Sequence, residues 1–317
     1  MSKHFFLGSM ALLSACVSYA QPQRDFTKSP SETRIPKTFG DSVAEAHSRR
    51  TLSKPFYIEA SAFIGTMNGS TDLSESFNTR TMQFNSGVTI AANFTRYFAV
   101  RLEYTAGMCR EADTLNFTDK LVKRNLSYRT NVNEFAAAIE FYPFIVLNKR
   151  FHYYDPLLKP YVVVGAGFFT YSPEAYLDGQ WYDLRSLRTE GQGFPTHPDR
   201  QVYGTSSKSY QVGIGAKYDF DKTFNIKVEF LYRFTETDYL DDVNSTYINP
   251  QEFYRYLPNA QMAALAERLF KRQWRPGNTL STGERRGSNL RNDGFYSFNL
   301  KFVFNIGRRV TRYSSIK

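Results

Sequence analysis

The sequence has little of what most chemistry needs. Its 317 residues contain 2 cysteines and 4 histidines. Cys16 falls in the N-terminal segment, and Cys109 stands alone in the rest. If Cys16 is removed with that segment, no intramolecular disulfide can form and no cysteine metal site exists. The histidines beyond it, His47, His152 and His197, are far apart. None is expected on a strand beside a nucleophile, as a Ser–His hydrolase requires. No catalytic, cofactor-binding or metal-ligating residue is therefore expected, and the chain reads as non-enzymatic with no small-molecule substrate. Beyond the N-terminus there is no run of eighteen apolar residues, which excludes a membrane-spanning helix. A transmembrane β-barrel is untouched by that test, because its strands alternate. Nucleic-acid motifs are missing too. The formal charge is +10, but bases are dispersed among acids and gather only at ends such as GRRVTRYSSIK, so no nucleic-acid partner is expected.

Aromatic residues are abundant instead: 28 Phe and 22 Tyr in a chain whose mean hydropathy is −0.46. So many aromatics in a hydrophilic chain point to alternating strands. The start, MSKHFFLGSMALLSACVSYAQPQ, has Lys3, an apolar stretch from Phe5 and small residues near Ala20. It reads as an export signal over residues 1–20. Ser18 and Ala20 suit ordinary signal peptidase, leaving Gln21 first. Leu13-Ser14-Ala15-Cys16 also resembles a lipobox, which would acylate Cys16. Residues 21–55 are polar, contain proline and lack periodicity, as a flexible extension would, with a short helix near DSVAEAHSR.

From Phe56 the pattern has period two. FYIEASAFIG places Phe56, Ile58 and Ile64 opposite Glu59. YFAVRLEYTAG places Phe98, Val100, Leu102 and Tyr104 opposite Arg101 and Glu103. YQVGIGAKYD, FNIKVEFLYRF and FYSFNLKFVFNI repeat the arrangement, with Lys217, Asp219, Lys227, Glu229, Arg233 and Lys301 on the polar face. MQFNSGVTIAANF carries Val88 and Ile90 on one face. NLSYRTNVNEFAAAIEFY shifts parity near Asn133, as a β-bulge would. PYVVVGAGFFTY is apolar on both faces, with Gly165 and Gly167 predicting close packing inside. That makes eight strands.

Short links (TR, DFDKT and the medium PFIVLNKRFHYYDPLLK) alternate with long ones, as periplasmic turns and outer loops do in outer-membrane barrels. The expected fold is an all-β, eight-stranded antiparallel up-and-down transmembrane barrel over residues 56–307, with long extracellular loops and a basic periplasmic tail at 308–317. Aromatics near strand ends (Phe98, Tyr104, Tyr218, Phe224, Tyr232, Phe304) fit interfacial girdles facing membrane lipid. A soluble ligand-binding barrel is the competing arrangement, since period two does not say which face is inside. Acids (Glu59, Glu103, Glu140, Asp219, Glu229) and bases (Arg101, Lys217, Lys227, Arg233, Lys301) in similar numbers can neutralise one another in a narrow interior. Of these, Arg101, Glu103, Lys227, Glu229 and Arg233 are expected to form an inner network that leaves no wide channel.

The loops carry three further features. Asp238, Asp241 and Asp242 in TDYLDD could bind Ca²⁺, but without the spacing of a calcium loop they read as loop hydrogen bonding. In WYDLRSLRTEGQG, Asp183, Arg185, Arg188 and Glu190 can pair with one another, with Trp181 and Tyr182 pinning the loop to the rim. PNAQMAALAERLFKRQW predicts a helix capped by Asn259, with Met262, Leu265, Ala266, Leu269 and Phe270 on one face.

PYVVVGAGFFTYSPEAYLDGQWYDLRSLRTEGQG and NIKVEFLYRFTETDYLDDVNSTYINP resemble signature segments of the PorG-like outer-membrane barrels of Bacteroidota, and RNLSYRTNVNEFAAAIEFYPF resembles the preceding strand. The resemblance runs from about Phe56 to Ile306. It implies a structural outer-membrane subunit of the type IX secretion system, associated with a periplasmic ring of a lipoprotein and its partner protein, and no catalysis. A stand-alone barrel for surface interaction or limited solute passage is the alternative. For docking to periplasmic ring proteins, Arg150, Phe151, Tyr153 and Tyr154 in the medium link combine base and aromatic character typical of interface anchors.

Overall fold

A two-faced strand can hide its charged face only if the sheet closes on itself. The computed structural model describes residues 51–53, 56–73, 80–115, 124–147, 155–272, 281–288 and 290–312. Its strands are β1 (Thr51–Ser53), β2 (Tyr57–Ser70), β3 (Gln83–Asn93), β4 (Phe98–Ala112), β5 (Ser127–Phe141), β6 (Leu158–Leu177), β7 (Gln180–Asp183), β8 (Ser206–Asp219), β9 (Phe224–Thr235), β10 (Gly294–Ile306) and β11 (Val310–Arg312). Leaving aside β1, β7 and β11, each strand pairs antiparallel with its neighbour in sequence, and β2 pairs with β10. The result is a closed eight-stranded up-and-down barrel, as expected. At the seam Ile64 lies opposite Leu300 and Ile58 opposite Ile306.

The faces separate by chemistry. Val88, Ile90, Leu102, Val212, Ile214, Val228, Phe302 and Phe304 are exposed on the outer wall, while Arg101, Glu103, Lys217, Glu229 and Lys301 are buried inside. Aromatic clusters gather where β3 turns into β4 (Phe56, Phe94 and Phe98, centroids 6.1 and 6.5 Å apart) and where β8 turns into β9 (Tyr218, Phe220 and Phe224, 4.8 and 5.8 Å). This exterior suits hydrocarbon rather than water.

Two strand expectations need correction. β5 alternates without interruption, so there is no parity shift at Asn133; Glu134 points inward and Asn133 outward. The polar outward residues Asn131 and Asn133 mimic a break in period while the backbone continues. β6 also runs well past Tyr171, through SPEAYL, and forms a hairpin with β7. Asp178 and Gly179 turn it, both with positive φ (48° and 85°). That is a primed two-residue turn, whose twist matches the strands and whose second position favours glycine.

The long connections fold over one end of the barrel. α1 (Pro143–Leu147) lies at the opposite end with Ile145 buried. In the long connections are α2 (Leu184–Leu187), α3 (Gln251–Tyr256) and α4 (Ala260–Phe270). Asn259 caps α4 by accepting from the Met262 amide at 2.8 Å, as the sequence predicted. Ala263, Ala266, Leu269 and Phe270 of α4 pack with Leu184, Leu187, Phe194, Ile248 and Phe253. These loops therefore own a hydrophobic core and form a folded cap. Beneath it an apolar layer that includes Met67, Cys109, Val132, Phe169 and Phe295 seals the barrel mouth.

Candidate functional site

The barrel interior is the most chemically loaded region of the fold. Arg101 on β4 is fully buried and donates to Glu140 (3.2 Å) and Glu229 (3.2 Å), with Glu103 at 3.6 Å. Lys301 meets Glu229 at 2.8 Å and also pairs with Glu103. Lys227 bridges Glu140 (2.8 Å) and Glu59 (2.7 Å), and Lys217 pairs with Glu59. Higher up, Arg233 donates to Glu134 at 2.9 Å. Lower down, Lys159 donates to Asp219 at 2.9 Å. Tyr161 donates to Glu229 (3.0 Å) and Tyr142 to Glu140 (2.7 Å). Gly215 leaves room for the Tyr161 ring: a Cβ there would lie 2.4 Å from it. Six bases thus face six acids in a buried interior, where each ion needs its partners to offset lost hydration.

The five interior residues expected from sequence all lie in this network. Sequence reasoning missed Glu134, because of the supposed bulge, and Lys159, which precedes a proline at the strand start. It also missed Arg308. Just beyond β10, its guanidinium pairs with Asp219 and lies 3.9 Å from Asp155, at the short-turn end of the barrel. Beyond Arg308 the backbone of β11 pairs with β1, so the chain segments flanking the barrel form a two-stranded ribbon. The docking residues Arg150, Phe151, Tyr153 and Tyr154 lie outside the described residues, as do Cys16, His47 and His152.

The loop features organise the cap. Asp183, Arg185, Arg188 and Glu190 form no ion pairs with one another. Asp183 caps α2 through the Ser186 amide (3.1 Å), and Arg185 donates to the Tyr203 carbonyl (2.8 Å). Glu190 accepts from the amides of Asn244 (3.1 Å) and Ser245 (3.0 Å) and from Arg286 (2.9 Å). Asp242 accepts from Tyr203 (2.7 Å) and Thr189. The TEGQG and YLDDVNST stretches are therefore one hydrogen-bonded unit. Trp181 packs on Tyr176 (5.2 Å) and under the Arg129 guanidinium (3.8 Å) at the rim. His197 sits 3.1 Å from Glu252 on the cap. Among the described residues no three His, Cys, Asp or Glu side chains converge to hold a metal ion.

Burial pushes the Asp238 carboxyl up to about 8 and Asp242 up to about 7, and it raises Asp241 and Asp293 as well. Asp238 and Asp241 each keep one buried oxygen without a hydrogen-bond partner. An acid whose folded pKa lies above its unfolded value near 3.9 holds a proton that the unfolded chain releases. Its stabilising contribution is complete below about pH 4 and is lost as pH rises through 7–8. We expect cap amides such as those of Leu240 and Val243 to lose hydrogen-exchange protection between about pH 4 and 8, after correction for intrinsic rates, and to level off above that. Asp238→Asn should flatten that trend. Protection that rises with pH would contradict the assignment.

No family model and no curated protein matches the chain. Among solved structures it is similar to Neisserial surface protein A (10% identity, covering 80% of this chain and 98% of that one, TM-score 0.35). It is also similar to Ail, the attachment invasion locus protein of Yersinia pestis (9%, 80% and 100%, TM-score 0.37), and to the outer membrane protein OprG from Pseudomonas aeruginosa (12%, 82% and 98%, TM-score 0.33). The strand pairing itself defines the architecture. The chain is a closed eight-stranded antiparallel barrel, with charges inside and apolar side chains outside.

Proposed function

We propose that this protein is a non-enzymatic, integral outer-membrane barrel that serves as a structural subunit of the type IX secretion system and docks to its periplasmic ring. The membrane placement rests on the sided chemistry of the wall. A charged, ion-paired interior behind an exposed apolar exterior is stable in lipid and poorly soluble in water. The short turns then face the periplasm and the cap faces outside. The filled interior argues against bulk solute passage. Support for the secretion role comes from the resemblance of the two loop segments, which the fold joins through Thr189–Asp242 and Glu190–Ser245.

The test uses the full chain in its native envelope. Replacing Arg150, Phe151 and Tyr154 together should reduce co-purification of the ring proteins and lower secretion, while the barrel still inserts. Normal secretion by that variant, with loss on deleting residues 21–50, would move docking to the N-terminal extension. Absence of any ring protein from the wild-type pull-down, together with steady single-channel currents in planar bilayers, would favour the stand-alone barrel.

A further inference from the structure

Two exposed bases near the cap are matched: Lys208 pairs with Glu236 (3.2 Å) and Arg268 with Asp178 (2.6 Å). One place on the outer wall differs. On β4 the apolar outward series from Phe98 to Met108 ends at Arg110. On β5 the series from Phe141 to Phe135 gives way to Asn133, Asn131 and Arg129. The register sets Arg110 directly opposite Arg129. Like charges facing each other across a strand pair repel, so the arrangement is unfavourable by itself and becomes favourable with an anion between them. Arg129 commits its Nε to Glu174 at 2.7 Å, leaving the other side of its fork. Arg110 is exposed and pairs with no described carboxylate. The Trp181 ring faces both guanidiniums, 3.8 Å from Arg129 and 6.0 Å from Arg110.

We propose that Arg110 and Arg129, on the Trp181 platform, bind a headgroup phosphate of a phosphorylated glycolipid in the outer leaflet. This rests on the outer-membrane placement argued above. Guanidinium forks match phosphate oxygens in a bidentate geometry. Tyr176 and Trp181 add the amphipathic rings that favour the boundary between hydrocarbon and water. The site begins where the apolar series ends, so a lipid whose chains lie along Leu102, Tyr104 and Phe135 delivers its phosphate there. A free phosphate ion would gain only the polar half of that contact.

The experiment reconstitutes the full mature chain in phosphatidylcholine nanodiscs doped with bisphosphorylated lipid A and counts retained lipid A by native mass spectrometry. Wild type and Lys208→Gln should retain it equally, and R110Q/R129Q should retain at least tenfold less. Dephosphorylated lipid A should not be retained. Heat-modifiable migration on gels reports whether each barrel is folded. Should the double variant misfold, Arg110→Gln alone, at an exposed side chain, is expected to cut retention at least threefold. Equal retention by these variants, or by dephosphorylated lipid A, overturns the proposal. Complete displacement by millimolar inorganic phosphate also overturns it, assigning the site to a free ion. Release of the chain from envelopes by carbonate without detergent would sink the membrane placement itself. An embedded barrel indifferent to phosphate sinks only the lipid site.

Discussion

Glu229→Ala is expected to lower the unfolding free energy of the barrel by about 3–5 kcal/mol, the usual cost of removing one partner from a buried ion pair. Glu229 accepts from Arg101 and Tyr161 and lies 2.8 Å from Lys301, with no exposure of its own carboxylate. Its loss leaves Arg101 with Glu103 and Glu140 only, and Lys301 with Glu103 only. Neither cation can reach water to compensate, because both side chains are buried. Glu284→Ala is the control. Glu284 is an exposed cap residue accepting from the Ser281 amide at 3.1 Å, and its removal should cost within about 0.5 kcal/mol. Urea titrations in detergent micelles, read by heat-modifiable migration, measure both. Equal losses would mean that water penetrates the interior and that the network is not a coupled unit.

Val228→Arg should cost about 2–4 kcal/mol if the site lies near the bilayer midplane. Val228 is 52% exposed on β9, opposite Leu300 on β10 and Ala216 on β8, all on the outward face. In water such a residue would accept arginine at little cost, so the size of the loss also reports the solvent outside the barrel. The neighbour Lys227 gives the matching control. Introduced cysteines should be water-inaccessible at 228, and at 227 shielded from lipid-soluble quenchers. A water-accessible residue 228 with a lipid-facing residue 227 would reverse the two faces and sink the membrane reading.

The barrel was legible because strand periodicity and charge identity carry the same message. On β9, Lys227, Glu229 and Arg233 alternate with Val228, Phe230 and Tyr232, and either signal alone gives the faces. β5 was harder, because Asn131 and Asn133 put polar atoms on the outer wall and hid the parity of Glu134. The cap was legible only in pieces. Asn259 and the apolar spacing of α4 specify a helix locally, but the partners of Glu190 come from residues 54 to 96 positions away in sequence. Nothing in the spacing of Glu190 and Arg286 announces their 2.9 Å contact. Arg308 escaped for a related reason: a base after the last strand looks like a tail, and its burial depends on acids at 155 and 219.

The seam between β2 and β10 gives the charge network a role in assembly. Glu59 belongs to the first barrel strand, Lys301 to the last, and their partners to strands between. A chain lacking β10 would keep Glu103 and Glu229 without one of their shared cations, and would have to keep that hydrated. A one-residue slip at the seam would turn Lys301 onto the apolar outer face. The interior therefore acts as a register gauge: all ions are neutralised together only when the last strand reaches the first in one alignment. Dehydration of the interior and closure of the wall become a single event, which disfavours half-built barrels.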